Sequence, residues 1–308
     1  MRVVFMGTPD FSVPALENIA KEHEVAAVVT QQDRPKGRGH KMQFTPVKEK
    51  AIELNIPVYQ PSRVREEKFI HILKELNPDV IVVIAFGQIL SKEILDMPKY
   101  GCINVHASLL PKYRGAAPIQ WAVIDGEEYS GVTTMYMAEG LDTGDMIDKT
   151  VVKLRSDETG GSLFDRLSIE GGKLILETLR KLESKTAVRI PQNNDLSSYA
   201  GKITKELGKI DFSKPAIEIE RLIRGLNPWP SAFTYMDGKM LKVWKADIEE
   251  GNVTEKPGMI VEVSKRGIKA ACGENYLILK EIQPEGKKRM DVAAFLNGYS
   301  INSDTLGM

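Results

Sequence analysis

The chain has 308 residues, with 42 Lys+Arg against 42 Asp+Glu and therefore zero formal net charge. Hydrophobic residues at 42% and charged residues at 27% exclude wholesale disorder, and the longest unbroken apolar run, 80–86, is far short of the roughly 20 residues a membrane-spanning helix needs. Cys102 and Cys272 stand far apart, which excludes a disulfide framework or a CxxC metal or redox site; with no secretory or transit pattern in MRVVFMGTPDF, a cytoplasmic protein is the expectation.

The first half alternates short β-branched runs at 3–6, 25–30, 58–60, 80–86 and 101–106 with helical patterns near 12–22, 45–55, 64–77 and 91–96. The helix at 45–55 opens Thr45-Pro46, an N-cap residue followed by proline at the first helical position, where no N–H is needed. The run 80–86 is apolar at every position, as in a strand covered on both faces. Strands separated by helices give right-handed crossovers and a parallel sheet. A helix at 115–125, a late strand pair at 132–137 and 146–154, and a helical apolar stripe over 163–182 follow. The expectation over 1–186 is an open α/β domain, its sheet mostly parallel with helices on both faces. Residues 187–208 lose periodicity, gather polar and turn residues, and read as a linker. Beyond them, a helix at 217–224 and short strands at 232–236, 240–246, 258–263, 267–271 and 276–282 predict a small β-barrel or sandwich domain over 209–308.

The turn after the first strand, Gly7-Thr8-Pro9, lacks the G-x-G-x-x-G of a dinucleotide site, and Pro9 removes a donor a pyrophosphate cradle would use, so NAD is not expected. No metal motif is present in the sequence. The densest constellation is the stretch 101–115, GCINVHASLLPKYRG. Asn104 and His106 are two apart on a predicted strand and face the same side, where the strand gives way to a Pro/Gly-rich loop. In open parallel sheets that carboxyl-end crevice is where ligands bind. An amide beside an imidazole there makes a convergent donor pair for a carbonyl oxygen that gains charge during acyl transfer. His23 and His71 lie in helices of mixed polarity and read as surface residues. The acidic loop AEGLDTGD at 138–145 follows a predicted strand; brought into the same crevice, Asp142 is a carboxylate able to orient His106. Residues 31–48 carry Arg34, Lys36, Arg38, Lys41 and Lys48 against Asp33, a cationic Gly-containing loop expected to be poorly ordered alone and able to mould onto phosphates. Trp229, between Pro228 and Pro230, reads as an anchor of the barrel against the first domain rather than as a base-stacking residue. Residues 209–308 hold 15 basic and 14 acidic side chains, so counting finds no positive face there.

The pattern N-x-H-x-S-L-L-P-x-Y-R-G followed by G-L-D-T-G-D resembles the folate-dependent formyltransferases, which move a formyl group from 10-formyltetrahydrofolate to an amine. The resemblance implies a Rossmann-like fold, Asn104, His106 and Asp142 as the catalytic trio, and 10-formyltetrahydrofolate as co-substrate without metal or NAD. It also implies a folate-contacting segment at Ser108, Leu109, Leu110 and Pro111, and a pterin pocket at Phe86, Gly87, Ile89, Leu90 and Gly140. GTPDFSVPAL, DRPKGRGHKMQFTPVK and IRGLNPWPSAFTY are similar to the branch of that family acting on methionyl-initiator tRNA, and the similarity runs over essentially the whole chain. That implies an OB-like tRNA-binding barrel, tRNA contacts from Arg34, Lys36, Arg38 and Lys41, and a role in translation initiation. Arg38, the middle residue of GRG, is the expected contact with the acceptor end. A monomer with no membrane partner is expected. The implied chemistry is direct attack of the α-amino group on the formyl carbon, the oxyanion held by Asn104 and His106 with support from Asp142. The alternative is a folate-dependent N-formyltransferase acting on an amino sugar nucleotide, which shares the trio and does not need the basic insertion.

Overall fold

The computed structural model describes residues 1–36 and 41–307. In chain order the elements are β1 (Arg2–Gly7), α1 (Val13–Glu22), β2 (Glu24–Val29), β3 (Arg34–Lys36), β4 (Lys41–Gln43), α2 (Pro46–Glu53), β5 (Val58–Tyr59), α3 (Glu67–Leu76), β6 (Val80–Ile84), α4 (Lys92–Leu95), β7 (Cys102–His106), β8 (Arg114–Gly115), α5 (Pro118–Ile124), β9 (Tyr129–Tyr136), β10 (Met146–Lys153) and α6 (Gly160–Glu183). They continue with β11 (Tyr199–Ala200), α7 (Ala216–Gly225), β12 (Ala232–Met236), β13 (Lys239–Glu249), β14 (Ile260–Ser264), β15 (Gly267–Ala271), β16 (Tyr276–Pro284), β17 (Met290–Asp291) and α8 (Val292–Leu296). Two compact units result: residues 1–115, 129–153 and 164–200 form the first, and residues 116–128, 154–163 and 201–308 the second.

The first unit is built on a seven-stranded sheet of order β10-β9-β7-β6-β1-β2-β5. Its five strands β5, β2, β1, β6 and β7 are parallel, and β9 and β10 close one edge antiparallel. Every residue of β6 is buried, as its unbroken apolar run requires of a strand near the sheet centre. One core cluster gathers Val4, Met6 and Val83 with Phe69, Leu73, Ile94 and Cys102. The Thr45 hydroxyl caps α2 by accepting from the Lys48 N–H at 3.2 Å, and Pro46 occupies the first turn.

The second unit holds a separate antiparallel sheet of order β12-β13-β16-β15-β14, with β17 on β16. Its core packs Ile219 and Ile223 of α7 against Val243, Leu277, Leu279 and Phe295. Residues near the chain's end bridge the two outer strands. Ile260 N–H donates to the Asp304 carbonyl at 2.8 Å and Gly307 N–H to the Tyr235 carbonyl at 2.8 Å, which completes the barrel.

Four features differ from the sequence reading. The basic segment after β2 contains an antiparallel hairpin, β3 with β4, in which Arg34 pairs with Gln43 and Pro35 with Met42. Residues within 187–208 carry a strand, β11, paired parallel with β8, so this stretch is joined to the first sheet's loops by backbone bonds. The short β17 and α8 carried too few residues to register as a pattern. His23 is half-buried rather than on the surface: Nδ1 lies 3.3 Å from the Met1 amino group and Nε2 has no partner among the described residues. Burial, with the nearby ammonium, lowers its pKa. Among the described residues, no helix is long and apolar enough to cross a membrane.

Candidate active site

The loops after β6 and β7 leave the carboxyl edge of the parallel strands, and the loop after β9, a strand antiparallel to β7, brings Asp142 within reach of His106. Beyond Ile84 the backbone turns through Ala85 at φ 47° and Gly87 at φ 82°. Phe86 and Leu90 turn inward and are buried, whereas Ile89 stands 79% exposed. Thr8 Oγ1 and Gln31 Nε2 donate to the Phe86 carbonyl at 3.2 and 3.1 Å, and Gln88 Oε1 accepts from the Val64 N–H at 2.7 Å. The Gly7-Thr8-Pro9 turn therefore braces the neighbouring loop with a hydroxyl.

On β7, Asn104 pairs with Val83 of β6 and Met135 of β9. Its half-buried amide makes no hydrogen bond to any described residue. His106, two residues on, is buried, and its Nε2 lies 2.8 Å from the Tyr113 carbonyl oxygen. A carbonyl only accepts, so Nε2 carries the proton of that bond, and Nδ1 is the ring nitrogen left for other work. Asp142 Oδ2 lies 3.7 Å from Nδ1, and the same oxygen accepts from the Gly115 N–H at 2.8 Å. The pair is largely enclosed, with side-chain exposures of 7% and 11%. Asp142 itself sits at φ 51° and Tyr113 at φ 60°, both in the left-handed region.

The Ser108–Pro111 turn is held from within. Ser108 Oγ donates to the Lys112 carbonyl at 2.6 Å. Buried Thr133 donates from Oγ1 to the Ser108 carbonyl at 2.7 Å and accepts from the Leu110 N–H at 3.2 Å. Lys149 Nζ donates to the Leu110 carbonyl, and Leu110 packs on Met135 and Met146. The nine positions expected at folate thus divide by environment. Phe86, Leu90, Ser108 and Leu110 are buried, Leu109 and Pro111 are half-buried, and Gly87, Ile89 and Gly140 are exposed. Leu141, next to Gly140, adds a second exposed apolar side chain at 59%.

Residues that pattern reading missed hold these loops together, and they lie in the stretch 187–208. Gln192 Nε2 donates to the Asp142 and Gly144 carbonyls at 2.8 Å each. Its Oε1 accepts from Arg114 Nε at 3.0 Å and Nη2 at 2.8 Å, and Arg114 Nη2 reaches Asn194 Oδ1 at 2.9 Å. Ser198 Oγ accepts from the Tyr113 N–H at 2.9 Å, and the Ser198 carbonyl from the Arg114 N–H at 2.9 Å. Arg189 lies 3.6 Å over the Tyr136 ring and 3.5 Å from Asp145, which accounts for the second aspartate of the GLDTGD loop. One signal was available: a stretch without pattern longer than about 12–15 residues is uncommon as a plain connector.

The basic segment is anchored at its base. Lys48 Nζ donates to Asp33 Oδ2 and to Gln60 Oε1 at 2.8 Å, and Gln60 Nε2 donates to Asp33 Oδ1 at 2.8 Å. That hydrogen bond from Lys48 holds the Asp33 carboxyl below its ordinary range. Lys48 is thus a structural cation, while Arg34 is exposed. Arg38 lies outside the described residues. The hairpin also exposes Met42 at 61% and Phe44 at 46%, more apolar surface than a plain phosphate-binding loop needs. Trp229 is 55% exposed.

Chemically, the site offers an unpaired amide and an imidazole two residues apart on β7, with a carboxylate 3.7 Å from the imidazole. That set can steady a developing oxyanion and move a proton. Among the described residues, no group of three or more His, Cys, Asp or Glu is disposed to hold a metal ion.

Comparison with known proteins gives a consistent picture. The formyl transferase model matches residues 1–179, and the model of the formyl transferase C-terminal domain matches residues 202–300. A methionyl-tRNA formyltransferase of Agathobacter rectalis is 60% identical over 302 residues, covering 98% of this chain and 97% of the relative. Another of that name from Lachnospira eligens is 57% identical over 313 residues, covering 99% of each. Among solved structures, the sugar 3N-formyl transferase WlaRD, crystallised with dTDP and 5-N-formyl-THF, superposes with a TM-score of 0.67 over 94% of this chain and 99% of that one. At 21% identity that likeness shows the fold alone.

Proposed function

The chain belongs to the formyl transferase family, in both its amino-terminal and carboxyl-terminal parts, and on that premise we propose that it transfers the formyl group of 10-formyltetrahydrofolate to the α-amino group of methionyl-initiator tRNA. The observation that carries the acceptor is the near full-length identity, 60% with one methionyl-tRNA formyltransferase. The basic hairpin supports the same acceptor, because an amino sugar nucleotide gives no reason for one. The chain's formyltransferase activity follows from the family; the assignments of individual residues below are our reading.

The α-amino group attacks the formyl carbon as the free base. A carbon–nitrogen bond forms, and the former carbonyl oxygen takes up negative charge. Asn104 supports this step because its amide is free to donate to that oxygen. His106 contributes through Nδ1, since Nε2 is engaged by the Tyr113 carbonyl. A proton on Nδ1 then lies between the oxyanion and the Asp142 carboxylate, whose charge balances it from 3.7 Å. The adduct collapses by breaking the bond from the formyl carbon to N10 of the folate. The attacking nitrogen gives up one proton and N10 receives one, so the transfer is balanced without a covalent enzyme intermediate. We assign the relay of that proton to Asp142 acting through water or to His106. The pterin is assigned to the rim formed by Gly87, Ile89, Gly140 and the Ser108–Pro111 turn. Arg34, Lys36, Arg38 and Lys41 are assigned to tRNA phosphates, and the catalytic work to residues 1–186.

The test is transfer of a radiolabelled formyl group from 10-formyltetrahydrofolate to charged initiator tRNA, set beside elongator methionyl-tRNA and amino sugar nucleotides. Label on the initiator species is the expected result. Label on an amino sugar alone would replace this acceptor with the alternative.

A further inference from the structure

The geometry points to Gln192 as a positioning residue for the formyl-transfer site, acting through the Asp142 loop; the inference rests on the catalytic reading of Asp142 given above. Its carboxamide is saturated in a way only a glutamine of that length provides. Both Nε2 hydrogens go to main-chain carbonyls, those of Asp142 and Gly144, at 2.8 Å each. Both lone pairs of Oε1 face Arg114, at 3.0 and 2.8 Å. The orientation of the amide follows from the partners, because a guanidinium only donates and a carbonyl only accepts.

The consequence lies in what those two sides belong to. Arg114 and Gly115 end the loop that follows His106, and the Gly115 N–H holds the Asp142 carboxylate. Asp142 and Gly144 belong to the loop after β9. Gln192 thus ties the two halves of the site at the backbone, while the Gly115–Asp142 bond ties them at the side chain. Asp142 is also in the left-handed region, at φ 51°, a conformation of modest cost for an aspartate that bonds from neighbouring segments help to hold. The bond to its carbonyl is one such constraint. A loop free to relax toward an ordinary φ would swing the carboxylate away from Nδ1.

Two substitutions separate this role from a merely structural one. Gln192→Met keeps the volume and removes all four bonds. Gln192→Glu keeps the contact with Arg114 and presents an oxygen to two carbonyl oxygens. Both are expected to lower kcat by roughly 10- to 100-fold, with KM for 10-formyltetrahydrofolate near that of the parent. Once Asp142→Asn has already removed the carboxylate, adding Gln192→Met should change kcat by less than about twofold. A parental kcat in Gln192→Glu, or losses that multiply in the double variant, would overturn the inference. If Gln192→Met does not fold, Gln192→Glu carries the same cycle, its ion pair with Arg114 keeping the two segments together. Asp142→Asn measured alone tests the underlying reading. Parental turnover there removes the catalytic trio, whereas loss there with parental turnover in Gln192→Met removes only the role of Gln192.

Discussion

Among the described residues of the first unit, three of the six non-glycine residues at positive φ lie in the loops around the site, the others being Asn55, Asn77 and Lys185. Ala85, Tyr113 and Asp142 all take positive φ, one in each of the loops after β6, β7 and β9. A left-handed conformation costs a non-glycine residue about 1–2 kcal/mol, less for Asp, whose short side chain can bond locally. Tyr113 turns its carbonyl onto His106 Nε2 and its N–H onto Ser198, so two bonds offset its conformation. Gly115, at φ 115°, has no alternative residue: a Cβ there would lie 2.7 Å from the Ala200 carbonyl oxygen. Asn104 is the contrasting case, an ordinary strand residue whose amide nothing in the described protein uses. Asn104→Ala should therefore leave the thermal midpoint almost unchanged and lower kcat by roughly 10²–10³, the usual loss for one oxyanion donor. Steady-state turnover beside a melting curve decides it, and near-parental kcat would remove Asn104 from the mechanism.

Elements differ in how much of their placement a local pattern carries. The all-apolar run that becomes β6 and the Thr45-Pro46 start of α2 were legible because burial on both faces and helix capping write themselves into neighbouring residues. The two-residue ladder of β8 with β11, and the Gln192 bonds, join positions some 50 to 85 residues apart and leave no periodic trace. The proximity of His106 and Asp142, with Asn104 two residues from His106, was legible for a mixed reason. Strand alternation put Asn104 and His106 on one face, but only the resemblance brought Asp142 to them. The hairpin β3–β4 escaped notice because Pro35 and the charged residues have low strand propensity, and its fixation comes from outside it, through Lys48 of α2 and Gln60. Lys48→Met should accordingly release the hairpin: cleavage by trypsin within 34–43 rises at neutral pH, and KM for charged tRNA rises while KM for 10-formyltetrahydrofolate holds. The pH sign follows from Asp33. Its folded pKa is depressed by the bond from Lys48, so the clamp's contribution is complete above the unfolded value and is lost only as pH falls through the lower, folded one. The intact protein's protease sensitivity should stay flat from neutral into mildly acidic pH. A rise already in the histidine range would point to a different holding group.

At the scale of the whole molecule, 42 positive charges cancel 42 negative ones, so no net field draws a polyanion toward the chain. Recruitment of a tRNA must then come from local patches, and the ion pairing shows which cations are available. Lys48 is held by Asp33, Arg289 by Glu281 and Lys269 by Glu249, so these charges are already balanced on the protein. Arg34, exposed on β3 where it pairs with Gln43 of β4, is a cation that can exchange counterions for phosphates. Each phosphate contact contributes about one to the slope of log affinity against log salt. For charged initiator tRNA, log kcat/KM should fall linearly with log salt, while kcat/KM for 10-formyltetrahydrofolate at saturating tRNA should fall far less. Arg34→Ala and Arg38→Ala should each weaken use of the tRNA at fixed salt and make that slope shallower by about one, leaving kcat at saturating tRNA unchanged. Because the barrel's 15 basic and 14 acidic residues nearly cancel, a slope that survives both substitutions intact would move the phosphate contacts off the hairpin and onto that second unit.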